Sequence, residues 1–274
     1  MDAATLNAWR TQAEVAARRG GAELEQMRTT FAVREKGRND LVTDADVAAQ
    51  RAVRNHLLSA FPDHGFLGEE DVAPAAPGEP RPEPRVANDA PPTWIVDPLD
   101  GTTNYVHDLP AYCVSIGLYV AGALVVGVIF DPRQNELFSA AHGQGATLNG
   151  RPIRVSTVAT VAEALLATGF TPNPIAQANA LRWWEYLSFH AQSLRRTGST
   201  ALNLAYLAAG RFDGYWAFDN YPWDMAAGAV LVREAGGQVA RVDGTPFDPF
   251  KPDIAISNGH IQAELLRFLQ TGPA

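Results

Sequence analysis

Two apolar runs, CVSIGLYV beginning at Cys113 and ALVVGVIF beginning at Ala123, are separated only by Ala121-Gly122. Such a short connection lets the second run fold back on the first but not lie parallel to it, so the pair reads as a buried β-hairpin. The following segments, ELFSAA at 136–141, ATLNG at 146–150 and PIRVS at 152–156, continue an antiparallel sheet. From about residue 160 strand-like and helical segments alternate. ALLATGF is followed by a helix through Trp183 and Leu187, then SLRRTG, a helix over 199–209, DGYWAF, a helix over 223–235, GQVARV, DIAISN and a last helix. That alternation predicts an α/β half. The expected organisation is an N-terminal α+β subdomain over 1–155 and a C-terminal α/β subdomain over 156–274, forming one compact unit.

Upstream of the hairpin, residues 2–28 carry Leu6, Trp9, Ala13, Val15, Ala16, Leu24 and Met27 at helical spacing, with a kink or break expected at Gly20-Gly21. Residues 31–34 predict a short strand. Thr43 or Asp44 is placed to cap a helix bearing Val47, Val53, Leu57 and Leu58 on one face, with Pro62 just past its end. His64 to Gly68 read as a turn into a short strand. Residues 71–92 are rich in Pro, Ala and charge and predict a surface loop.

Composition narrows the function. A net charge of −8 leaves no basic footprint for a nucleic acid. Cys113 is the only cysteine, so no disulfide can form within the chain, and a reducing, cytoplasmic setting is expected. The N-terminal stretch is polar, and no run is long enough to span a bilayer as a helix. The six histidines show no zinc spacing, and Gly143-Gln144-Gly145 lacks the Lys and Ser/Thr of a phosphate loop.

The chemical signal is apolar strands that end in carboxylates, where open α/β folds place ligands. Three segments do so: LGEE at 67–70, WIVDPLDGTTN at 94–104, and YPWDMAAG at 221–228, in which Asp224 opens a helix. In the second, Asp97 and Asp100 flank one turn. The Leu99 carbonyl and the Thr102 hydroxyl can add oxygens, a hard donor set that suits Mg²⁺. A helix beginning near Gly101 would turn free N–H groups toward an anion such as phosphate, and Gly198-Ser199-Thr200 could do the same. Each feature taken alone has a plainer reading. Asp-Pro-Leu-Asp-Gly is a turn, Glu69-Glu70 an exposed acidic pair, Asp224 a helix cap, Asp46 a carboxylate at a helix dipole, and Gly198-Ser199-Thr200 a capped helix start. Cys113 reads as a small core residue, Trp216 and Trp183-Trp184 as core or interface aromatics, and His107-Asp108 as polar residues facing solvent.

Together, GEE at 68–70, WIVDPLDGTTNYVH at 94–107 and WDMAAGAVLVREAGG at 223–237 closely resemble the signatures of the inositol monophosphatase family, with DLVTDAD at 40–46 and GSTALNLAYLAAGRFDGYW at 198–216 in the right order. The resemblance runs through nearly the whole chain. It implies a layered αβαβα sandwich of the inositol monophosphatase/fructose-1,6-bisphosphatase type, usually a homodimer. It also implies two or three Mg²⁺ ions, a small phosphorylated metabolite as substrate, and inhibition by lithium. By matching position, Glu69, Asp97, the Leu99 carbonyl and Thr102 hold the activating ion, and Asp97, Asp100 and Asp224 a second. Asp46 works with Thr102 and water. Asp100, Gly101, Thr102, Gly198, Ser199, Thr200 and Asp224 line the substrate pocket. Attack by activated water needs no covalent phosphoenzyme.

Two positions depart from the pattern. Inositol-specific members of the family carry an acidic substrate contact where this chain has Ala217, and the Pro-rich segment 71–92 is long. Lys36 aligns only approximately with a basic residue of the family. Histidinol phosphate, fructose 1,6-bisphosphate and phosphoadenosine phosphate therefore stand beside inositol phosphate as substrates, with GTTN favouring the inositol or histidinol type over the nucleotidase type. Two other readings compete. Haloacid dehalogenase-like phosphatases place the second Asp two positions after the first and close to the N-terminus, unlike this chain. A non-catalytic phosphate-ligand binding protein on the same fold would be expected to lack a metal carboxylate, and none is missing here.

Overall fold

The computed structural model describes residues 1–37, 40–72, 82–170 and 174–273. The first helix, α1 (Ala3–Met27), is capped by Asp2, whose Oδ1 accepts from the Thr5 N–H at 2.8 Å. It runs through Gly20-Gly21 without the expected break. A Cβ on Gly20 would meet Val53 at 2.9 Å and one on Gly21 the Phe130 ring at 2.7 Å, so the glycines serve close packing rather than a kink. The buried positions are Leu6, Ala13, Ala16, Ala17 and Leu24, whereas Val15, expected on that face, is exposed.

Strands β1 (Val33–Gly37) and β2 (Asp40–Thr43) pair antiparallel and lead into α2 (Asp44–Ala60), which Thr43 caps. Val53 and Leu57 are buried on α2 as expected. Val47 lies on its exposed side, because the helix turns its small residues Ala45, Ala48 and Ala49 inward. Strand β3 (Gly65–Gly68) runs parallel to β4 (Thr93–Asp100). Of the predicted loop at 71–92, residues 73–81 lie outside the described residues, and 82–92 form no helix or strand. After α3 (Thr102–Val106), β5 (Cys113–Val120) and β6 (Ala123–Asp131) form the predicted hairpin. β7 (Glu136–Ala141), β8 (Ala146–Leu148) and β9 (Arg151–Ile153) then extend it antiparallel, and among the described residues the sheet has the order β3-β4-β5-β6-β7-β8-β9.

The remaining elements alternate as the sequence predicts. They are β10 (Leu165–Thr168), α4 (Pro174–Ser188), β11 (Ser193–Arg195), α5 (Thr200–Ala208), β12 (Gly214–Ala217), α6 (Pro222–Glu234), β13 (Gln238–Ala240), β14 (Ile254–Ser257) and α7 (Gln262–Thr271). Their sheet has the order β11-β10-β12-β14-β13, with β10 parallel to β11 and β12, and β14 antiparallel to both its neighbours.

Alternation along the strands sets the layers, because successive side chains point to opposite faces. Trp94 and Val96 pack with Ile116, Val128, Leu24 and Val53 under α1 and α2. Ile95, Ile129 and Phe138 face Leu204 of α5 and Ala227 of α6, which also cover Ala167, Tyr215 and Ile256 of the second sheet. Leu166, Trp216 and Ala255, on that sheet's far side, pack against Leu187 of α4 and Leu265 of α7. The order helix, sheet, helix, sheet, helix is the αβαβα sandwich the resemblance implies. Both faces of the larger sheet are covered, which is why β5 and β6 are apolar almost throughout.

Candidate active site

The turn after β4 follows from its pairing. Asp97 lies opposite Ser115 and Asp100 opposite Cys113, so three steps on β4 match two on β5. Pro98 has no N–H to give to a ladder and falls within this bulge. Residues directly opposite share a face of the sheet. Asp97 and Asp100, which an unbroken strand would send to opposite faces, therefore emerge on the same face as Ser115 and Cys113. On that face Ser115 Oγ donates to the Trp223 carbonyl at 3.1 Å, bringing the start of α6, and Asp224 with it, to the bulge. The parallel pairing of Gly68 with Val96 brings Glu69 beside Asp97.

Asp46, Asp97, Asp100 and Asp224 each accept from main-chain donors. Asp46 Oδ2 accepts from the Thr43 N–H at 2.8 Å and the Thr43 hydroxyl at 2.6 Å, while its Oδ1 is 3.3 Å from Thr102 Oγ1. Thr102 Oγ1 is also 3.1 Å from the Leu99 carbonyl oxygen. A hydroxyl has one proton, so it donates to one of these at a time. Asp97 Oδ1 accepts from the Leu99 N–H at 3.0 Å, and Asp224 Oδ2 from the Tyr221 N–H at 2.6 Å. Gln50, which sequence reasoning did not single out, holds the Glu69-Glu70 turn: its Oε1 accepts from the Glu70 N–H at 3.0 Å.

Asp100 is held differently. Its Oδ2 accepts from Ser199 Oγ at 2.5 Å and the Ala201 N–H at 2.6 Å, and its Oδ1 from the Thr200 N–H at 3.2 Å. The N-terminus of α5, expected to face a phosphate, therefore already receives a carboxylate from the same chain. Ser199 Oγ also accepts from the Leu202 N–H at 3.2 Å, so Ser199 is both helix cap and clamp for Asp100. The Thr200 hydroxyl pairs with the buried Tyr215 hydroxyl at 3.0 Å, and Gly198 takes φ 93°. At the other turn, Gly101 takes φ 101° and α3 begins at Thr102 as expected. Cys113 is in the core, as predicted, yet its Sγ is 3.9 Å from Asp100 Oδ2 and 3.8 Å from Ser199 Oγ.

The electrostatics follow from burial. Asp46 is fully buried and Asp97 is 3 % exposed. Burial, then the charges of Glu69, Asp100 and Asp224, push Asp97 well above the ordinary carboxylate range. Burial moves Asp46 up to about 7; the Thr43 hydrogen bonds oppose this, and the charges of Glu69 and Glu70 add to it. Asp100 is raised by burial against the donors on α5. Among the described residues no Lys or Arg forms an ion pair with Asp46, Asp97 or Asp100. Neighbouring buried carboxylates without a cation are costly, and a divalent ion is the group their oxygens fit. No three His, Cys, Asp or Glu side chains among the described residues meet at one ready-made metal position. The Leu99 carbonyl and the Thr102 hydroxyl, next to Asp97 and Asp46, are further oxygens that could serve a metal ion there. The Lys36 side chain lies outside the described residues.

Known proteins share this framework. The sequence profile described as the Inositol monophosphatase family matches residues 6–272. An inositol-1-monophosphatase of Synechocystis sp. is 42% identical over 271 residues, covering 98% of this chain and 91% of its own. The solved inositol monophosphatase of Anabaena (Nostoc) sp. superposes with a TM-score of 0.81 at 38% identity, over 98% of both chains. The extragenic suppressor protein suhB of Bartonella henselae gives a TM-score of 0.84 at 37% identity, over 94% of this chain and 97% of its own.

Proposed function

This chain belongs to the inositol monophosphatase family and is a phosphoric monoester hydrolase; from that premise we propose that it cleaves a small phosphorylated metabolite with two or three Mg²⁺ ions. Glu69, Asp97, the Leu99 carbonyl and Thr102 would hold the activating ion, and Asp97, Asp100 and Asp224 another. When bound, the ions acidify a water and shield the phosphate charge. The observation that carries this reading is that Asp46 and Asp97 are buried, with Asp100 beside Asp97, and that among the described residues no cationic side chain pairs with any of the three.

The residues divide the work by position. Thr43 holds one oxygen of Asp46 and leaves the other toward Thr102. Thr102 and Asp46 then orient the attacking water and take its proton. Asp100, fixed by Ser199, Thr200 and Ala201, stands on the side of the departing oxygen, in an in-line displacement without a covalent intermediate. Gly101 and the first turn of α3 border the phosphate. Lithium inhibition, a homodimer and a cytoplasmic setting belong to the same proposal. No described helix is long and apolar enough to cross a membrane.

Substrate choice turns on Ala217, the last residue of β12 and 3 % exposed. A methyl group gives ring hydroxyls no acceptor. Histidinol phosphate and fructose 1,6-bisphosphate therefore compete with inositol 1-phosphate as substrates. The test is a panel of these esters and phosphoadenosine phosphate, assayed with Mg²⁺, with and without Li⁺. Mg²⁺-dependent, Li⁺-sensitive release of phosphate is expected. No hydrolysis of any ester would contradict the proposal.

A further inference from the structure

Asn104, the third residue of α3, is buried beside the site without contributing an oxygen to it. Its Nδ2 donates to the Ala111 carbonyl at 2.6 Å and to the Thr197 carbonyl at 2.9 Å. A primary amide nitrogen carries two protons, so both bonds form together. Both partners are acceptors only, which fixes the orientation of the amide: a flipped Asn would set its oxygen against two carbonyl oxygens. The main-chain oxygen of Asn104 accepts from the Leu109 N–H at 2.8 Å, tying the same residue to the connection that enters β5.

The Thr197 bond joins segments 93 residues apart in sequence. On one side is the turn carrying Thr102, with Asp46 against it. On the other is the turn into α5, whose first residues Thr200 and Ala201 give their N–H groups to Asp100. Gly198 lies directly on the amide: a Cβ there would come within 2.8 Å of Asn104 Nδ2 and 2.9 Å of Oδ1. Thr197 is itself held, its hydroxyl donating to Asn203 Oδ1 at 2.7 Å. One amide therefore spans the gap between the two turns.

We propose that Asn104 is a positioning residue that sets the separation between the Thr102 turn and the Ser199 turn, and so holds Asp100 where the cations and the ester need it. This inference rests on the metal-dependent reading of the site. Losing a partner that orients a metal ligand costs about 10–100-fold in metal affinity or activity. Asn104→Ala and Asn104→Asp both remove the two donors, and Asn104→Asp does so at nearly constant volume.

The test titrates activity against Mg²⁺, and Mg²⁺ binding by calorimetry, for wild type, Asn104→Ala, Asn104→Asp, Asp97→Asn and Leu265→Ala, with each fold checked by circular dichroism. Leu265 lies in the core under α7, away from the site, and controls for lost stability. Both Asn104 variants are expected to need about 10–100-fold more Mg²⁺ for half-maximal rate, or to lose kcat by that factor, with KM little changed. Leu265→Ala should lower the melting temperature and leave the Mg²⁺ requirement as in wild type. If Asn104→Ala and Asn104→Asp do not fold, Asn104→Ser, which keeps one donor, carries the test. Folded Asn104 variants with wild-type Mg²⁺ dependence and kcat overturn the inference. An active Asp97→Asn variant overturns the metal reading beneath it, so the two failures are distinguishable.

Discussion

Asp97 and Asp100 are an odd number of residues apart on one strand and still present their carboxylates on the same face, because Asp97 pairs with Ser115 and Asp100 with Cys113. The extra residue in the bulge at Pro98-Leu99 makes a paired carboxylate site from a spacing that would otherwise split it. It also leaves the Leu99 carbonyl beside the Thr102 hydroxyl.

Replacing Asp97 with Asn keeps its shape and the acceptor for the Leu99 N–H but removes the charge. Turnover should fall by at least about 10²–10³-fold, the scale of losing one group that stabilises transition-state charge. The metal-free variant should melt no lower than wild type, because a buried, crowded charge has gone. Steady-state kinetics at saturating Mg²⁺ and a melting curve in chelator check both expectations.

Ser199→Ala removes two interactions through one atom. The helix α5 loses its cap, which costs about 1 kcal/mol, and Asp100 loses its hydroxyl donor. A modest fall in melting temperature should accompany a clear loss of kcat, whereas Ser199→Thr should recover most of the stability. A fall in stability with kcat unchanged would show that the bond to Asp100 is irrelevant to turnover.

Ala217→Glu should shift preference toward a polyol ester. A site that gains an acceptor for a substrate hydroxyl changes discrimination by about 1–3 kcal/mol. The ratio of kcat/KM for inositol 1-phosphate to that for histidinol phosphate should therefore rise at least about fivefold. An unchanged ratio would remove Ala217 from the determinants of specificity.

His64 supplies a pH test independent of the site. Its ring stacks on Phe61 at 4.9 Å and lies 5.5 Å from Trp9 and 5.7 Å from Trp94. Its Nδ1 is buried without a partner among the described residues. Burial holds its pKa below 6.5, and the nearby Asp63 charge only partly offsets this. A depressed folded-state value means the neutral ring stabilises the fold above pH 6.5, and this contribution is lost as pH falls through the folded-state value. His64→Phe should flatten the decline in melting temperature below pH 6.5. An identical decline in wild type and variant would contradict this.

The αβαβα order and the site's main elements were legible in the sequence because each depends on local signals. Apolar runs must end somewhere, and β4 ends in the carboxylates Asp97 and Asp100, while Asp224 opens α6. The continuity of α1 through Gly20-Gly21 was not legible, because close packing on Val53 and Phe130 leaves no mark in local propensity. Val15 and Val47 lie on the exposed sides of their helices: helical spacing does not say which stripe faces the core when Ala fills the competing one. The carboxylate on the N-terminus of α5 leaves no local signal either, because Asp100 and Ser199 meet only through tertiary structure.

Anomalous diffraction from crystals grown with Mn²⁺ in place of Mg²⁺ tests most directly whether the gathered carboxylates bind divalent ions. A peak bounded by Glu69, Asp97, the Leu99 carbonyl and Thr102, with a second reached by Asp100 and Asp224, is the predicted result. Fully occupied Mn²⁺ elsewhere on the molecule, with no density between these oxygens, would contradict it.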